Sequence, residues 1–395
     1  MTTSRLARLV PVLMAALGAG AIVAVLAAAA ESPRSQAPQA PVPAPPGGAP
    51  PRTGPPPRPP THEEKAEAYF KNIQVLKGYP ADEVVPTMQF IAASLGVECE
   101  FCHVERANEK DDKKEKLTAR KMISMTQAIN RDSFEGKREV TCNSCHRGES
   151  KPVAIPAVFD PNLPREPEEG SPEAKAPELP AAGAVLDRYL AAVGGGEALE
   201  KITSRVQKGR MSGFGPAEMP IEVYAQAPDK RISIVHTPRG DSLTAFDGKA
   251  GWLGNSGRPA RDMSAAESEA ARLDADMRLP SHLKAMFKEF KVVRPEKIEG
   301  RDANHVIAMN EGRPPVDLWF DAESGLLVRM MRYSETILGR SPTRIDYADY
   351  RDADGVKIPY RWAISRPSGR FEIRVDDVQQ NVPIEGSRFE KPASS

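Results

Sequence analysis

Two short motifs of the same form hold the residues of this sequence best suited to chemistry. In each, two cysteines are separated by two residues, and a histidine directly follows the second cysteine. The motif residues are Cys99, Cys102 and His103 in the first copy, and Cys142, Cys145 and His146 in the second. Two thiols at this spacing can add to the vinyl groups on one edge of a porphyrin, and the next residue brings its imidazole under the iron. The spacing therefore predicts two haem c groups, one attached at each motif.

Other sites that use paired cysteines fit this sequence less well. Four-cysteine zinc sites place their pairs about 15–20 residues apart, whereas 39 residues separate Cys102 from Cys142. A zinc site also gives no reason for a histidine after each pair in a chain with only six histidines. A thioredoxin-like dithiol is disfavoured because neither pair opens a βαβ pattern, and no further cysteine is left for a disulfide framework.

The second ligand of each iron has to come from elsewhere in the chain. Bis-histidine ligation is not expected unless the C-terminal domain reaches over, because between residues 61 and 152 the only other histidine is His62, at the edge of the segment. Methionine is the leading candidate, and the segment holds three: Met88, Met122 and Met125. A methionine on an apolar helix stripe often only fills the core, and at least one of these three must do so. The residues alone leave the choice open.

Two predicted helices carry these methionines. Residues 82–95 are predicted to form a helix that Gly96 ends, with Met88 and Ile91 on its apolar face. A second helix is predicted to begin at Thr118, as its cap, and to run to about residue 130. Between them, residues 109–116 are nearly all charged, which predicts a solvated loop.

The segment 71–148 resembles the cytochrome subunit of photosynthetic reaction centres. The matching stretches are NIQVL at 72–76, ARKMISMTQAIN at 119–130 and VTCNSCHRG at 140–148. In that family, a helix whose methionine precedes the CxxCH approaches each such haem. The resemblance implies that Met88 and Met122 bind iron, and that Met125 is a neighbouring methionine that does not.

The chain departs from that family in two respects. Members typically carry four haems, whereas this chain has two attachment motifs, and it lacks the lipid-modified N-terminal cysteine that many members have. The better description is a stand-alone dihaem relative.

The N-terminus predicts export. Arg5 and Arg8 precede an uncharged run at residues 9–30, so residues 1–30 are expected to be either a cleaved signal peptide or a single membrane anchor. The arginines keep the N-terminus cytoplasmic and the rest of the chain enters the periplasm. Residues 31–61 are predicted to be a Pro-rich linker, with 13 prolines between residues 33 and 60, because this composition cannot bury a core.

The remaining chain divides into the dihaem domain at 62–152, a second Pro-rich, acidic linker at 153–180 and a sheet domain at 181–395. In the last part, residues 185–193 form a predicted helix, and a helical interruption at about 264–287 splits the strands into two groups. Strands alternate around Trp362 and Ile373, with Asp354-Gly355 as a hairpin turn. The fold class expected is a mostly α dihaem cytochrome c domain followed by an α+β domain built on a curved antiparallel sheet, similar in layout to the periplasmic lipoprotein-carrier fold.

The charge balance and the positions of the histidines argue against two classes of function, nucleic-acid binding and enzymatic catalysis. Lys plus Arg and Asp plus Glu both total 54, so no basic footprint supports a nucleic-acid partner. His236, His282 and His305 are scattered singly, and no enzymatic site is expected. The leading prediction is periplasmic electron transfer with redox partner proteins of the periplasm or membrane. The alternatives are a lipid or lipoprotein carrier or docking protein with an auxiliary redox module, and a haem-based sensor. Because of the second linker, few contacts are expected between the two domains.

Overall fold

The structure, a computed structural model, describes residues 58–152, 179–213, 215, 217–293 and 295–392. The predicted signal peptide or anchor at 1–30 and most of the two predicted linkers lie outside the described residues. Helices make up the first described range, and strands dominate the ranges that follow it. None of the described helices is both long enough and apolar enough to cross a membrane.

Four helices form the first part of the structure. They are α1 (Ala66–Tyr69), α2 (Val84–Leu95), α3 (Lys114–Ser133) and α4 (Cys142–His146). The predicted helix at 82–95 is confirmed, with one 3₁₀ turn ahead of α2. Gly96 ends α2 in the left-handed conformation, with φ of 65°, which glycine adopts readily because it has no Cβ. On its apolar face, α2 buries Phe90 and Ile91.

The helix α3 begins earlier than the charge pattern predicts. Thr118 lies inside it and donates to the carbonyl of Lys114 at 3.0 Å, so the predicted cap is wrong. The prediction of a solvated loop up to residue 116 is also wrong, because Lys116 is only 8% exposed. Its ammonium donates to the carbonyls of Asn108 and Lys110, both at 2.7 Å. These oxygens replace the water that a buried charge would lose.

Strands that pair only in antiparallel fashion form one sheet in the described part of the chain. They are β1 (Ser204–Ser212), β2 (Met219–Gln226), β3 (Lys230–Thr237), β4 (Gly240–Asp247), β5 (Gly251–Asn255), β6 (Arg258–Asp262), β7 (Glu289–Val292), β8 (Glu296–Ile298), β9 (Arg301–Met309), β10 (Val316–Asp321), β11 (Leu327–Thr336), β12 (Gly339–Ala353), β13 (Val356–Arg366) and β14 (Gly369–Gln380). Across the sheet the order is β6-β5-β4-β3-β2-β1-β14-β13-β12-β11-β10-β9-β7, with β8 also paired to β9. The predicted antiparallel sheet is confirmed.

The hairpin of β12 and β13 follows the predicted turn chemistry. Asp354 and Gly355 have φ of 49° and 81°, as a two-residue type I′ turn requires. In the next pair of strands, Trp362 lies opposite Ile373. The alternation read from the sequence therefore places these apolar side chains on one face of the sheet.

Helices cover part of that face. They are α5 (Ala182–Ala192), α6 (Gly196–Glu200), α7 (Ala265–Ala275) and α8 (Leu279–Met286). The predicted helices at 185–193 and 264–287 are thus confirmed, and α7 and α8 separate β1–β6 from β7–β14. Ser264 and Glu267 cap α7 reciprocally, with N–H to side-chain oxygen distances of 2.9 and 3.2 Å. Leu186 of α5 and Leu283 of α8 pack with Phe320 of β10 in the main apolar core.

The helical part and the sheet part contact each other, so the expectation of few contacts is wrong. Ile337 and Leu338, at the turn between β11 and β12, pack with Phe90 and Ile91 of α2 in one apolar cluster. Both parts belong to one compact unit, Pro55–Ser395. Pro-rich composition predicts an unpacked linker, but it carries no information on what the folded parts bury against each other.

Candidate haem-attachment site

The first motif lies in a short turn directly after α2. Cys99–Phe101 form one 3₁₀ turn, and the backbone N–H of His103 donates to the carbonyl of Cys99 at 3.0 Å. Residues three apart on such a turn point to the same side, so Cys99 and Cys102 present their thiols together. Nδ1 of His103 lies 3.1 Å from the carbonyl oxygen of Asn108. Because a carbonyl can only accept, Nδ1 carries the proton, and Nε2 keeps the lone pair that a metal ligand needs.

The second motif is the one-turn helix α4. The backbone N–H of Thr141 donates to Oγ of Ser144 at 3.0 Å, which fixes the start of this turn. His146 is 9% exposed, and its Nδ1 lies 2.9 Å from the carbonyl oxygen of Glu149. The same assignment of the proton follows, so each motif holds an imidazole through Nδ1 and leaves Nε2 as the candidate iron ligand.

All four motif cysteines are free thiols. Burial raises the pKa of Cys102 and Cys142, whereas a thiol that takes part in disulfide exchange needs a lowered pKa. The two pairs also do not come together as the four ligands of a zinc site would, since no group of three or more ligating side chains forms among the described residues. The four thiols are therefore available for attachment to a prosthetic group.

The three candidate methionines lie on the helices that precede the motifs. Met88 on α2 is half-buried and packs against the apolar cluster around Phe90. On α3, Met122 is half-buried, whereas Met125 is 44% exposed. Met88 and Met122 thus lie at partly covered positions on α2 and α3, and their role as iron ligands stays a prediction.

Exposed apolar surface is concentrated in the part of the chain that holds the motifs. Of the seven large apolar side chains that are exposed in the described residues, six lie between residues 79 and 134: Tyr79, Val85, Phe101, Leu117, Met125 and Phe134. Exposed apolar surface marks a binding site where it forms one contiguous patch. A porphyrin is a large apolar plate that would cover such surface. Together with the free thiols and the oriented imidazoles, this surface fits a haem group.

One residue that supports the second motif is not predicted from the sequence. Asn130 is 7% exposed, and its amide donates to the carbonyl of Val140 at 2.7 Å and accepts the N–H of Val140 at 2.9 Å. This clamp ties the end of α3 to the backbone two residues before Cys142. The sequence contains one indication of this role: Asn130 follows Ile123 and Thr126 at helical spacing, so it lies on the same face of the helix as these buried residues.

The four histidines outside the motifs each contact a carboxylate. The pairs are His62 with Asp82 (3.2 Å), His236 with Asp241 (2.8 Å), His282 with Asp276 (2.8 Å), and His305 with both Glu296 (3.0 Å) and Asp317 (2.8 Å). His305 also stacks on Trp319, with ring centroids 4.1 Å apart. These partners are local to each histidine, and the four do not assemble into one site among the described residues.

The segment with the two motifs is similar in sequence to a known protein family. Residues 48–176 match the family model described as the photosynthetic reaction centre cytochrome C subunit. The photosynthetic reaction center cytochrome c subunit of Thermochromatium tepidum is 33% identical over 92 residues, which are 22% of this chain and 23% of that protein. The corresponding subunit of Roseobacter denitrificans is 37% identical over 106 residues, 24% of this chain and 28% of that protein. The chain therefore matches about a quarter of the length of these relatives.

Solved structures similar to this chain cover a larger share of it at lower identity. A putative outer membrane lipoprotein-sorting protein domain from Vibrio parahaemolyticus covers 53% of this chain and 98% of its own, with 15% identity and a TM-score of 0.39. A LolA superfamily protein from Nitrosomonas europaea covers 54% and 99%, with 13% identity and a TM-score of 0.38.

The resemblance predicted from the motifs is confirmed for the haem-motif segment. The matched residues 48–176 include both CxxCH motifs. Residues 71–148 are thus similar in sequence to the cytochrome c subunit of photosynthetic reaction centres.

Proposed function

We propose that this protein is an exported periplasmic electron carrier with two haem c groups, one at each CxxCH motif. The observation that carries the proposal is the geometry shared by both motifs: two free thiols beside an imidazole whose Nδ1 is held by a backbone carbonyl. Each bound haem supplies a one-electron iron couple, while the chain attaches it, orients its axial ligand and excludes water from it. In this proposal the protein is a carrier without catalytic residues, and its partners are redox proteins of the periplasm or membrane.

The proposal assigns His103 with Met88 to the first iron, and His146 with Met122 to the second. The half-buried positions of both methionines on α2 and α3 support the assignment, as does the greater exposure of Met125. Thioether ligation favours the reduced iron and raises the reduction potential.

Mass spectrometry of the denatured, reduced protein tests the attachment. Because four thioether bonds are expected, two haem groups should remain with the chain. Replacing Cys99 and Cys102 together by alanine should remove one haem, and the same change at Cys142 and Cys145 should remove the other. Release of haem into acidified organic solvent from the unaltered protein would contradict covalent attachment.

Optical spectra and potentiometric titration test the ligands. Met88→Leu and Met122→Leu should each lower one potential and remove the thioether-to-iron charge-transfer band of one haem. Met125→Leu keeps a similar side-chain volume and is the matched control, which should leave both bands in place. If the unaltered protein shows no such band, an open coordination position and a haem-based sensor become the better proposal.

A second function, lipid binding by the sheet part, is supported by the face of the sheet that α7 crosses. Five strands separate β3 from β11 in the sheet, yet α7 packs against both, so the sheet curves around this helix. On this face, Met211, Ile221 and Ile373 belong to an apolar cluster made entirely of strand residues, with Trp362 partly exposed at its margin. These three side chains are only 2–7% exposed, so they form a buried apolar lining on this face, which suits an acyl chain.

Charge on the same face suits an anionic head group. Arg332 of β11 donates to both carboxylate oxygens of Asp274 on α7, at 2.6 and 2.8 Å. Burial opposes ionisation of Asp274, but Arg332, Arg231 and Arg366 outweigh it and hold its pKa below the usual range. Arg332 alone bonds to Asp274, whereas Arg231 and Arg366 act on it through charge. Glu267, which pairs with Arg261, also acts on Arg366. The arginines outnumber the two carboxylates, which leaves positive charge on this face. This complementarity favours a lipid with an anionic head.

Lipid extraction from the full-length protein tests this second function. An anionic acyl lipid should be recovered by mass spectrometry from the purified protein, and the Arg231→Gln, Arg366→Gln double variant should lose it. Arg258→Gln, an exposed change on the edge strand β6, is the control. A sheet part recovered without lipid would leave docking as the role of this half of the chain.

A further inference from the structure

The turn between β11 and β12 has an unusual composition for a hairpin. Two-residue hairpin turns normally use Asn, Asp or Gly, because these residues adopt the backbone angles of such turns and tolerate water. Here the two turn residues are Ile337 and Leu338, and they are only 6% and 3% exposed. Their burial is provided by the helical part, in a cluster with Leu76, Phe90, Ile91 and Ile123. The composition of the turn is therefore explained by the surface on which it packs.

Hydrogen bonds fix the position of this turn relative to α2. The N–H of Ile337 lies 3.3 Å from the hydroxyl oxygen of Thr87 and donates to it. Thr87 is fully buried and immediately precedes Met88 in the chain. The guanidinium of Arg138, which follows α3, donates to the carboxylate of Glu335 at 2.7 Å and also to the carbonyl of Thr336. These directional contacts hold the turn and α2 in one register.

The contact between the turn and α2 also leaves no free space. A Cβ added at Gly339, the first residue of β12, would lie 2.6 Å from the ring of Phe90, far inside van der Waals contact. Gly339 does not have a positive φ, so its backbone would accept alanine. The absence of a side chain here is explained by the close approach of α2.

From these contacts we propose that Ile337, Leu338 and Gly339 are positioning residues for the haem ligand on α2. The inference rests on the proposed function, in which Met88 binds iron. Met88 packs against the same cluster as the turn, and the rotation and translation of α2 set the distance from its thioether to the iron. A ligand geometry of this kind depends on the residues packed behind it. The sheet part therefore tunes one of the two potentials.

Potentiometric titration of the full-length holoprotein tests this role. Gly339→Ala should push Phe90 and α2, lower the potential of the same haem that Met88→Leu affects, and weaken its thioether-to-iron band. The matched control is Gly386→Ala, because its Cβ would meet nothing within 4 Å. Adding Phe90→Leu to Gly339→Ala should restore the potential, since the shorter side chain vacates the space of the ring.

The outcomes separate this inference from the proposed function. If Met88→Leu lowers one potential and Gly339→Ala changes neither, the positioning role is overturned and the electron carrier stands. If Met88→Leu changes neither potential, the ligand assignment is wrong and the positioning role falls with it. Where Gly339→Ala gives no holoprotein, Ile337→Ala is measured instead, and unchanged potentials and bands in that variant also overturn the role.

Discussion

The imidazole of His103 depends on a carbonyl whose position is set by charges further along the chain. The carbonyl oxygen of Asn108 accepts from Nδ1 of His103 at 3.1 Å and from the ammonium of Lys116 at 2.7 Å. Lys116 also pairs with Asp111 at 3.0 Å, and Arg120 donates to both carboxylate oxygens of Asp111 at 2.9 Å. The loop that follows the first motif is thus braced from α3, so a surface carboxylate supports the orientation of a candidate metal ligand.

The first prediction concerns Asp111. The side chains of Arg120, Asn72 and Lys116 hold its pKa well below the ordinary aspartate value of 3.8. A carboxyl whose pKa is lowered by folding stabilises the folded state above its unfolded pKa and loses this contribution as the pH falls. Asp111→Asn should therefore lower the Tm at pH 7, and its difference from the unaltered protein should shrink below about pH 4.

The neighbouring residue provides the control for this experiment. Asp112→Asn removes the same charge from an exposed position, and it should change stability by less than about 0.5 kcal/mol. Thermal unfolding followed by circular dichroism at several pH values measures both variants. Equal losses of Tm for the two variants would show that net charge matters and that the bracing contacts of Asp111 do not.

At the scale of elements, the end of α2 meets the end of the second motif. The N–H of Gly148 donates to the carbonyl of Ser94 at 2.9 Å, and a Cβ on Gly96 would lie 2.0 Å from the carbonyl oxygen of Gly148. The helix that carries Met88 therefore packs directly on the segment that follows His146. The two motifs are held together by this junction as well as by the chain between them.

The second prediction tests this junction with two glycines. Both Gly96 and Gly78 have positive φ, of 65° and 83°, but a Cβ on Gly78 would meet nothing within 4 Å. Gly78→Ala should cost about 1 kcal/mol, for the left-handed backbone alone. Gly96→Ala should cost about 3 kcal/mol or more, because the backbone of residue 148 must also move. Denaturant unfolding measures the free energy of unfolding of both variants. Equal losses would mean that the backbone around residue 148 moves away from a new Cβ at residue 96 without a measurable loss of stability.

Local patterns predicted most of the elements correctly. The stop at Gly96, the alternation around Trp362 and the Asp354-Gly355 turn are properties of a few neighbouring residues, and each is found in the structure. The start of α3 was missed because a run of charge was interpreted as solvated, although Lys116 buries its stem and gives its ammonium to carbonyls.

The packing of the turn at Ile337 could not be predicted in the same way. Thr87, which accepts the N–H of Ile337, is 250 residues away in the sequence. Alternation of apolar and polar residues indicates which face of a strand is apolar, but it does not indicate which other part of the chain covers that face. The candidate site also has a part that local sequence predicts and a part that it does not. Spacing identified the cysteines and histidines, whereas the supporting contacts of Asn130 and Asp111 depend on tertiary structure.

At the scale of the whole molecule, the cluster around Ile337 and Leu338 makes the two parts of the chain interdependent. Without the sheet part, the cluster that includes Phe90 (7% exposed) and Ile123 (4% exposed) would lose Ile337 and Leu338. Exposure of such a cluster removes apolar burial worth about 1.5–3 kcal/mol for each large side chain. The helical part alone is therefore expected to be less stable than it is in the full chain.

The last prediction separates this apolar contact from the covalent link. A protease site placed in the Pro-rich segment between residues 152 and 179 allows the chain to be cut after folding. The two pieces should still elute together in gel filtration, because the cluster, the bond from Ile337 to Thr87 and the pair of Arg138 with Glu335 hold them.

Leu338→Asp should release them, since a buried carboxylate without a partner costs several kcal/mol. Ser368→Asp, at the exposed tip of the β13–β14 hairpin, is the control and should leave the pieces together. Separation of the unaltered pieces would show that the linker alone keeps the two parts in contact, and continued association of the Leu338→Asp pieces would place the main contact elsewhere.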